Sequence, residues 1–166
     1  MKILMIGGTG TISTAITRQL SETNQEVYLL NRGTRNAEVP ANINVINVDI
    51  NDEAKVLEKL DGMTFDAVCE FIGFVTDQVE RDYRLFNGRT KQYIYISSAR
   101  IYAESDGLIT EQSARLLDTS TDKEYLQTDE YALAKARQEN MLFNSSKNNW
   151  TIIRPSVTYN SNRLQL

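Results

Sequence analysis

The chain alternates short apolar runs with longer segments whose apolar residues recur at helical spacing. Residues 2–6 (KILMI) read as a buried strand, and after a glycine turn residues 12–20 place their apolar positions on one helix face. Residues 26–30 (EVYLL) predict a second strand. Residues 43–48 (INVINV) predict a third, followed by the helix-like NDEAKVLEKL. Residues 65–71 (FDAVCEF) and 92–96 (QYIYI) predict a fourth and a fifth strand. Residues 129–140 (DEYALAKARQEN) read as a surface helix, and residues 150–153 (WTII) as a sixth strand. Near-continuous apolar strands that alternate with helices imply a parallel sheet covered on both faces. Right-handed crossovers make this an α/β fold with a doubly wound parallel sheet of about six strands.

One connection breaks the rhythm. Residues 103–127, between the fifth strand and the YALAK helix, are polar and acid-rich, with a short helix expected around residues 112–117. A connection of that length in a compact domain is usually functional or mobile.

Composition narrows the chemistry. At 166 residues the chain is expected to form one domain, residues 1–166, with one sizeable core. The apolar fraction of 41% and charged fraction of 24% are those of a soluble globular protein, and no segment approaches the ~20 apolar residues of a membrane span. Residues 1–8 (MKILMIGG) do not read as a secretion signal, so a cytoplasmic protein is expected. A net charge of −4 argues against a nucleic-acid or anionic-membrane surface. Histidine is absent, which removes Ser-His-Asp and Cys-His catalysis and most zinc sites, so no metal is expected. Cys69, the lone cysteine, sits in an apolar run and reads as a core residue. Acid–base work must therefore come from carboxylates, lysine or tyrosine.

Three motifs carry such chemistry. Gly7-Gly8-Thr9-Gly10-Thr11-Ile12-Ser13 closes the first strand and opens the first helix. Glycines there let the backbone approach a pyrophosphate, which the helix N-terminus attracts; Gly7, Thr9, Gly10, Thr11 and Ile12 are the candidate contacts. Asn31-Arg32-Gly33-Thr34-Arg35 follows the second strand, where an acidic residue would bind an adenine ribose. Asn31 stands in place of that acid and two guanidinium groups follow, which favours a 2′-phosphate and hence NADP over NAD. Asp49-Ile50 and Phe71-Ile72-Gly73 end the third and fourth strands on the same edge. There a carboxylate can accept from an adenine amino group, and a glycine lets backbone pass close to a cofactor. The third motif pairs Ser97-Ser98 with Tyr131 and Lys135, which lie four apart on one helix face. A free phenol titrates near about 10, and a neighbouring ammonium stabilises the phenolate. That arrangement suits carbonyl/alcohol redox chemistry, with hydride moving at carbon and a proton at oxygen.

GGTGTIS, DI, FIG, ISSARIY, YALAK and RPSVTY occur in the order found in extended short-chain dehydrogenase/reductases, and the chain most resembles the NAD(P)-dependent nucleotide-sugar epimerase/dehydratase group. The resemblance implies an NAD(P)-binding Rossmann fold. It also implies hydride transfer on a nucleotide sugar, with Ser98 polarising the substrate oxygen, Tyr131 as acid/base and Lys135 as its partner on the nicotinamide ribose. Arg154-Pro155 is implied to lie near the cofactor edge, Pro155 in contact with it. A narrower resemblance, through the NRG turn and the YxxxKAR helix, is to atypical members similar to chloroplast stem-loop-binding proteins and isoflavone-reductase-like reductases. It implies a non-catalytic NAD(P)-sensing, regulatory or RNA-binding alternative. Eight acidic against two basic residues over 103–130 argue against nucleic acid on that face. The chain departs from the family in three respects. Ser13 replaces the last glycine, the Ser98-to-Tyr131 separation is long, and the family's substrate-binding lobe is absent. Uncovered apolar surface is therefore expected to drive homo-oligomer formation.

Overall fold

The computed structural model describes residues 1–35, 39–160 and 163–164. Six strands form one all-parallel sheet: β1 (Lys2–Ile6), β2 (Glu26–Asn31), β3 (Asn44–Asn47), β4 (Phe65–Glu70), β5 (Thr90–Ile96) and β6 (Trp150–Ile153). Their spatial order is β3-β2-β1-β4-β5-β6, so the winding reverses between β1 and β4. A crevice opens at such a reversal, outside the carboxyl ends of the strands. The helices are α1 (Thr11–Ser21), α2 (Glu53–Lys59), α3 (Thr76–Phe86), α4 (Leu116–Thr119) and α5 (Tyr131–Phe143). A short antiparallel pair, β7 (Tyr159–Asn160) with β8 (Arg163–Leu164), follows the sheet.

Alternation along β1 divides the core. Leu4 and Ile6 face one side with Val56 of α2, Val79 and Phe86 of α3, and Leu142 of α5. Ile3 and Met5 face the other side, against Val27, Leu29 and the Ile16 and Leu20 side chains of α1. Both faces are thus apolar, as the unbroken hydrophobic strands require.

Three expectations needed correction. The helix α3 was not foreseen, because TDQVERDYRLF is dominated by charge; it forms because Val79, Leu85 and Phe86 bury together. Gln78 caps its start, accepting the Phe74 N–H at 3.0 Å. The short helix in the long connection begins at Leu116, not near residue 112. Arg115 is held extended by a bridge to Tyr102, and Thr110 and Ser113 close a turn of their own. Finally, α5 is no surface helix: Ala132, Leu133, Ala134, Lys135, Ala136, Gln138, Glu139 and Leu142 are all buried, between the sheet and the 103–127 connection.

Cys69 is partly buried in β4, packed against the α1 side of the core, and burial pushes its thiol up to about 11. At pH 8 its thiolate fraction is low, so maleimide labelling of the folded protein is expected to run roughly 100-fold slower than that of an exposed thiol. Labelling at the rate of a free thiol would contradict this placement.

Candidate functional site

The glycine turn and the 71–73 turn meet at the reversal of the sheet. Gly7 has a φ of 100°, a left-handed conformation, and any Cβ there would collide with the Ile72 side chain. Phe71 donates its N–H to the Ile6 carbonyl at 3.2 Å, extending the β1–β4 pairing to the lip of the crevice. Gly8 is needed for packing, since a Cβ would stand 2.9 Å or closer to the Leu29 methyls.

Ser13, the last residue of the glycine motif, is buried and holds the turn. Its hydroxyl accepts the Gly10 N–H at 2.8 Å, which fixes the entry into α1. Thr17 ties the same turn from below by donating its hydroxyl proton to the Gly8 carbonyl at 2.9 Å. The N–H groups of Thr11, Ile12 and Ser13, in the first turn of α1, have no acceptor within the helix and point toward the crevice end of the sheet. This is the geometry that receives a phosphate.

The second turn lies over the first. Asn31 ends β2, and its Oδ1 accepts the Gly33 N–H at 2.8 Å, closing a turn in which Gly33 has a φ of 82°. Its Nδ2 is buried with no hydrogen-bond partner among the described residues, at the end of β2 on the crevice side. Arg35 reaches across to donate to the Thr9 carbonyl at 3.4 Å, while Arg32 is exposed. The Arg35 guanidinium therefore stands beside the glycine motif, and Arg32 is exposed on the same turn. Asp49 is also exposed, but one carboxylate oxygen accepts from the Asn51 N–H and side-chain amide at 2.9 Å each, and Ile50 is buried. The Asp49-Ile50 pair therefore shapes the loop after β3.

The end of β5 and the head of α5, which carry the third motif, pack against each other. Ser98 follows β5 and caps a single turn of 3-10 helix, accepting the Arg100 N–H at 3.2 Å. That turn packs on the start of α5: Arg100 lies 5.8 Å from the centre of the Tyr131 ring and 3.6 Å from the Glu130 carboxylate. Glu130 in turn caps α5 by accepting the Ala132 N–H at 2.7 Å. The long connection between Ser98 and Tyr131 is pinned by the Ala103 N–H on the Ala114 carbonyl at 2.9 Å and by Arg137 on the Leu126 and Thr128 carbonyls.

Tyr131 is 36% exposed at the head of α5, whereas Lys135, one turn below, is only 4% exposed. Lys135 Nζ donates to the Gly73 carbonyl at 2.7 Å and the Ile96 carbonyl at 2.8 Å, so it bridges the ends of β4 and β5. The ammonium lies 5.9 Å from the Tyr131 ring centre. Those two bonds leave one ammonium proton for a ligand. Burial pushes Lys135 down to about 8, against the pull of the Glu70 and Glu139 carboxylates, so it is still mostly charged at neutral pH. Pro155 lies beside this motif, its carbonyl accepting the Ala99 N–H at 2.9 Å.

Arg154 is committed to a carboxylate of α5. It forms a two-pronged pair with the fully buried Glu139, Nε and Nη2 each 2.8 Å from a carboxylate oxygen, and also donates to the Tyr102 hydroxyl at 2.7 Å. Arg115 reaches the same carboxylate at 3.3 Å. This cluster locks α5 to β6 and to the long connection. Sequence reading did not find Glu139 or Glu70: in a sequence, a buried carboxylate looks like any other surface charge.

A cradle that a Cβ would fill, unpartnered helix N–H groups, an orphaned Asn31 amide and a free lysine proton fit a dinucleotide along the crevice. Among the described residues no group of metal-ligating side chains is present, and no helix is long and apolar enough to cross a membrane. No curated protein matches the chain. Among solved structures the chain is similar to a UDP-glucose 4-epimerase, at 21% identity and a TM-score of 0.69, over 93% of this chain and 51% of that one. It is similar to the UDP-Glc/GlcNAc 4-epimerase of Campylobacter jejuni, at 20% identity and a TM-score of 0.71, over 92% and 52%. A Veillonella parvula short-chain dehydrogenase/reductase in complex with NADP matches at 17% identity and a TM-score of 0.64, over 92% and 68%. These likenesses establish the Rossmann-type fold, and the chain spans about half the length of the epimerases. The model of a family described as NAD(P)H-binding matches residues 7–165, and the chain belongs to that NAD(P)H-binding family.

Proposed function

We propose that the protein is the cofactor-binding part of an NAD(P)-dependent oxidoreductase of the epimerase/dehydratase type, acting on a nucleotide sugar. The observation that supports this reading is the placement of Tyr131 one turn above a buried Lys135 that is anchored by the Gly73 and Ile96 carbonyls at the carboxyl edge of β4 and β5. A bound nicotinamide supplies the hydride acceptor. The chain's own groups handle the proton. Tyr131 takes the proton from a substrate hydroxyl, the Lys135 ammonium stabilises the phenolate beforehand, and Ser98 hydrogen-bonds the same substrate oxygen. Lys135 would hold the nicotinamide ribose with its remaining proton. The test is redox cycling with a panel of nucleotide sugars, followed by the absorbance of the reduced cofactor. Cycling with at least one sugar supports the enzyme. Tight cofactor binding with neither reduced cofactor in a single turnover nor conversion of any sugar in the panel supports a sensor instead.

Arg32 and Arg35 are assigned to the 2′-phosphate of NADP. Removing both guanidinium groups, each a charge-assisted donor, is expected to weaken NADP binding by roughly 10–100-fold in Arg32→Ala/Arg35→Ala, while NAD affinity stays within about threefold. Calorimetric titration of both cofactors decides it. Equal affinities in the unchanged protein, or an unaltered NADP affinity in the variant, contradict the assignment.

A further inference from the structure

Glu70 is the last residue of β4, and it is fully buried. One carboxylate oxygen accepts the Ile72 N–H at 2.5 Å; the other has no hydrogen-bond partner among the described residues. The Gly73 N–H stands near the carboxylate as a second backbone donor, although only the Ile72 N–H has full hydrogen-bond geometry. A Cβ on Gly73 would come within 2.8 Å of the unpartnered oxygen, so the turn is wrapped tightly around this side chain. The carbonyl of that same Gly73 accepts the Lys135 ammonium at 2.7 Å. The carboxylate thus holds the 71–73 turn from inside, and the turn holds the lysine.

An amide or hydroxyl could have closed the turn at lower cost, because a buried charge is expensive unless an opposite charge answers it. Here one does. The charged and titratable groups that face Glu70 are Asp82 from α3, Lys135 from α5 and the Tyr93 and Tyr95 phenols from β5. Those that face Lys135 are Glu70 from β4, Glu139 from its own helix, and the Tyr95 and Tyr131 rings, at 4.8 and 5.9 Å. We propose that Glu70 is a positioning residue for Lys135: it fixes the turn whose carbonyl receives the ammonium, and its carboxylate, once ionised, is the buried counter-charge to that ammonium. Its catalytic consequence rests on the Tyr131–Lys135 reading above, but the charge state of Lys135 does not depend on turnover.

The directions of titration agree with this. Burial, reinforced by Asp82, raises Glu70 to about 7, while Lys135 and the backbone donors pull it back; Lys135 itself is lowered to about 8. Removing the negative charge must therefore lower the Lys135 midpoint further.

The experiment is a pH titration of lysine labelled with 13C at Cε, observed by NMR, with Lys135 assigned by its loss in Lys135→Arg. The unchanged protein is expected to titrate near about 8, and Glu70→Gln, which keeps an oxygen for the Ile72 N–H, about one pH unit lower. An unmoved midpoint in Glu70→Gln overturns the proposal. Should that variant fail to fold, the unchanged protein still decides. The Ile72 and Gly73 amide resonances are expected to move with midpoints near about 7 and about 8, and amides that stay flat over that interval overturn it. If Tyr131→Phe retains full turnover while the midpoint shifts, the catalytic reading fails and the positioning role stands. A fixed midpoint with an inactive Tyr131→Phe reverses that outcome.

Discussion

Replacing Tyr131 with phenylalanine is expected to lower turnover by about 10²–10⁴-fold, the range lost with a positioned acid–base group. Phenylalanine keeps the ring that Arg100 covers at 5.8 Å and Lys135 approaches at 5.9 Å, so the head of α5 stays in place. Only the hydroxyl is lost, and cofactor affinity should change by no more than about threefold, since one exposed phenol is not a major binding group. Single-turnover absorbance of the reduced cofactor, paired with calorimetric binding, separates the two quantities. Turnover at the level of the unchanged protein contradicts the role given to Tyr131.

A second substitution acts on stability. Glu139→Ala removes the fully buried carboxylate that accepts from Arg154 at 2.8 Å twice and from Arg115 at 3.3 Å. The guanidinium groups left behind have side chains only 15% and 12% exposed, so they stay largely desolvated without a full set of acceptors. Breaking such a pair costs about 3–5 kcal/mol, and in a chain of this size that lowers Tm by roughly 10 °C. The damage extends beyond α5, because Arg154 also donates to the Tyr102 hydroxyl and the Glu111 carbonyl. Denaturant unfolding measures the loss directly. A change below about 1 kcal/mol would mean that the cluster is a weak, solvated pair.

The sheet was legible because its strands are apolar on both faces, and KILMI, FDAVCEF and QYIYI have no surface-strand reading. The glycine turn was legible for a related reason: its place between strand and helix matters more than its letters, and Gly7 indeed needs its left-handed φ. Helix α3 escaped notice because its inward face includes the buried Asp82 beside Val79, Leu85 and Phe86, and a charge breaks an apolar stripe. The inward turn of α5 was hidden in the same way by Lys135, Gln138 and Glu139. Those polar residues are buried by partners distant in the chain, Gly73 and Ile96 for Lys135, Tyr95 for Gln138 and Arg154 for Glu139. Local periodicity carries no trace of such pairings. The role of Ser13 was not visible: it read only as a departure from glycine, not as a hydroxyl that caps Gly10.

The central claim is that a dinucleotide lies across the carboxyl ends of β1 and β4, with its nicotinamide end against Lys135. The most direct measurement is a titration of 15N-labelled protein with NADP, followed at the backbone amides. The largest shifts are expected at residues 7–12, 31–35 and 71–73, with smaller ones at Ser98 and at the head of α5. Shifts confined to the opposite end of the sheet, around Asp66, Lys91 and Trp150, or none at saturating cofactor, would contradict it.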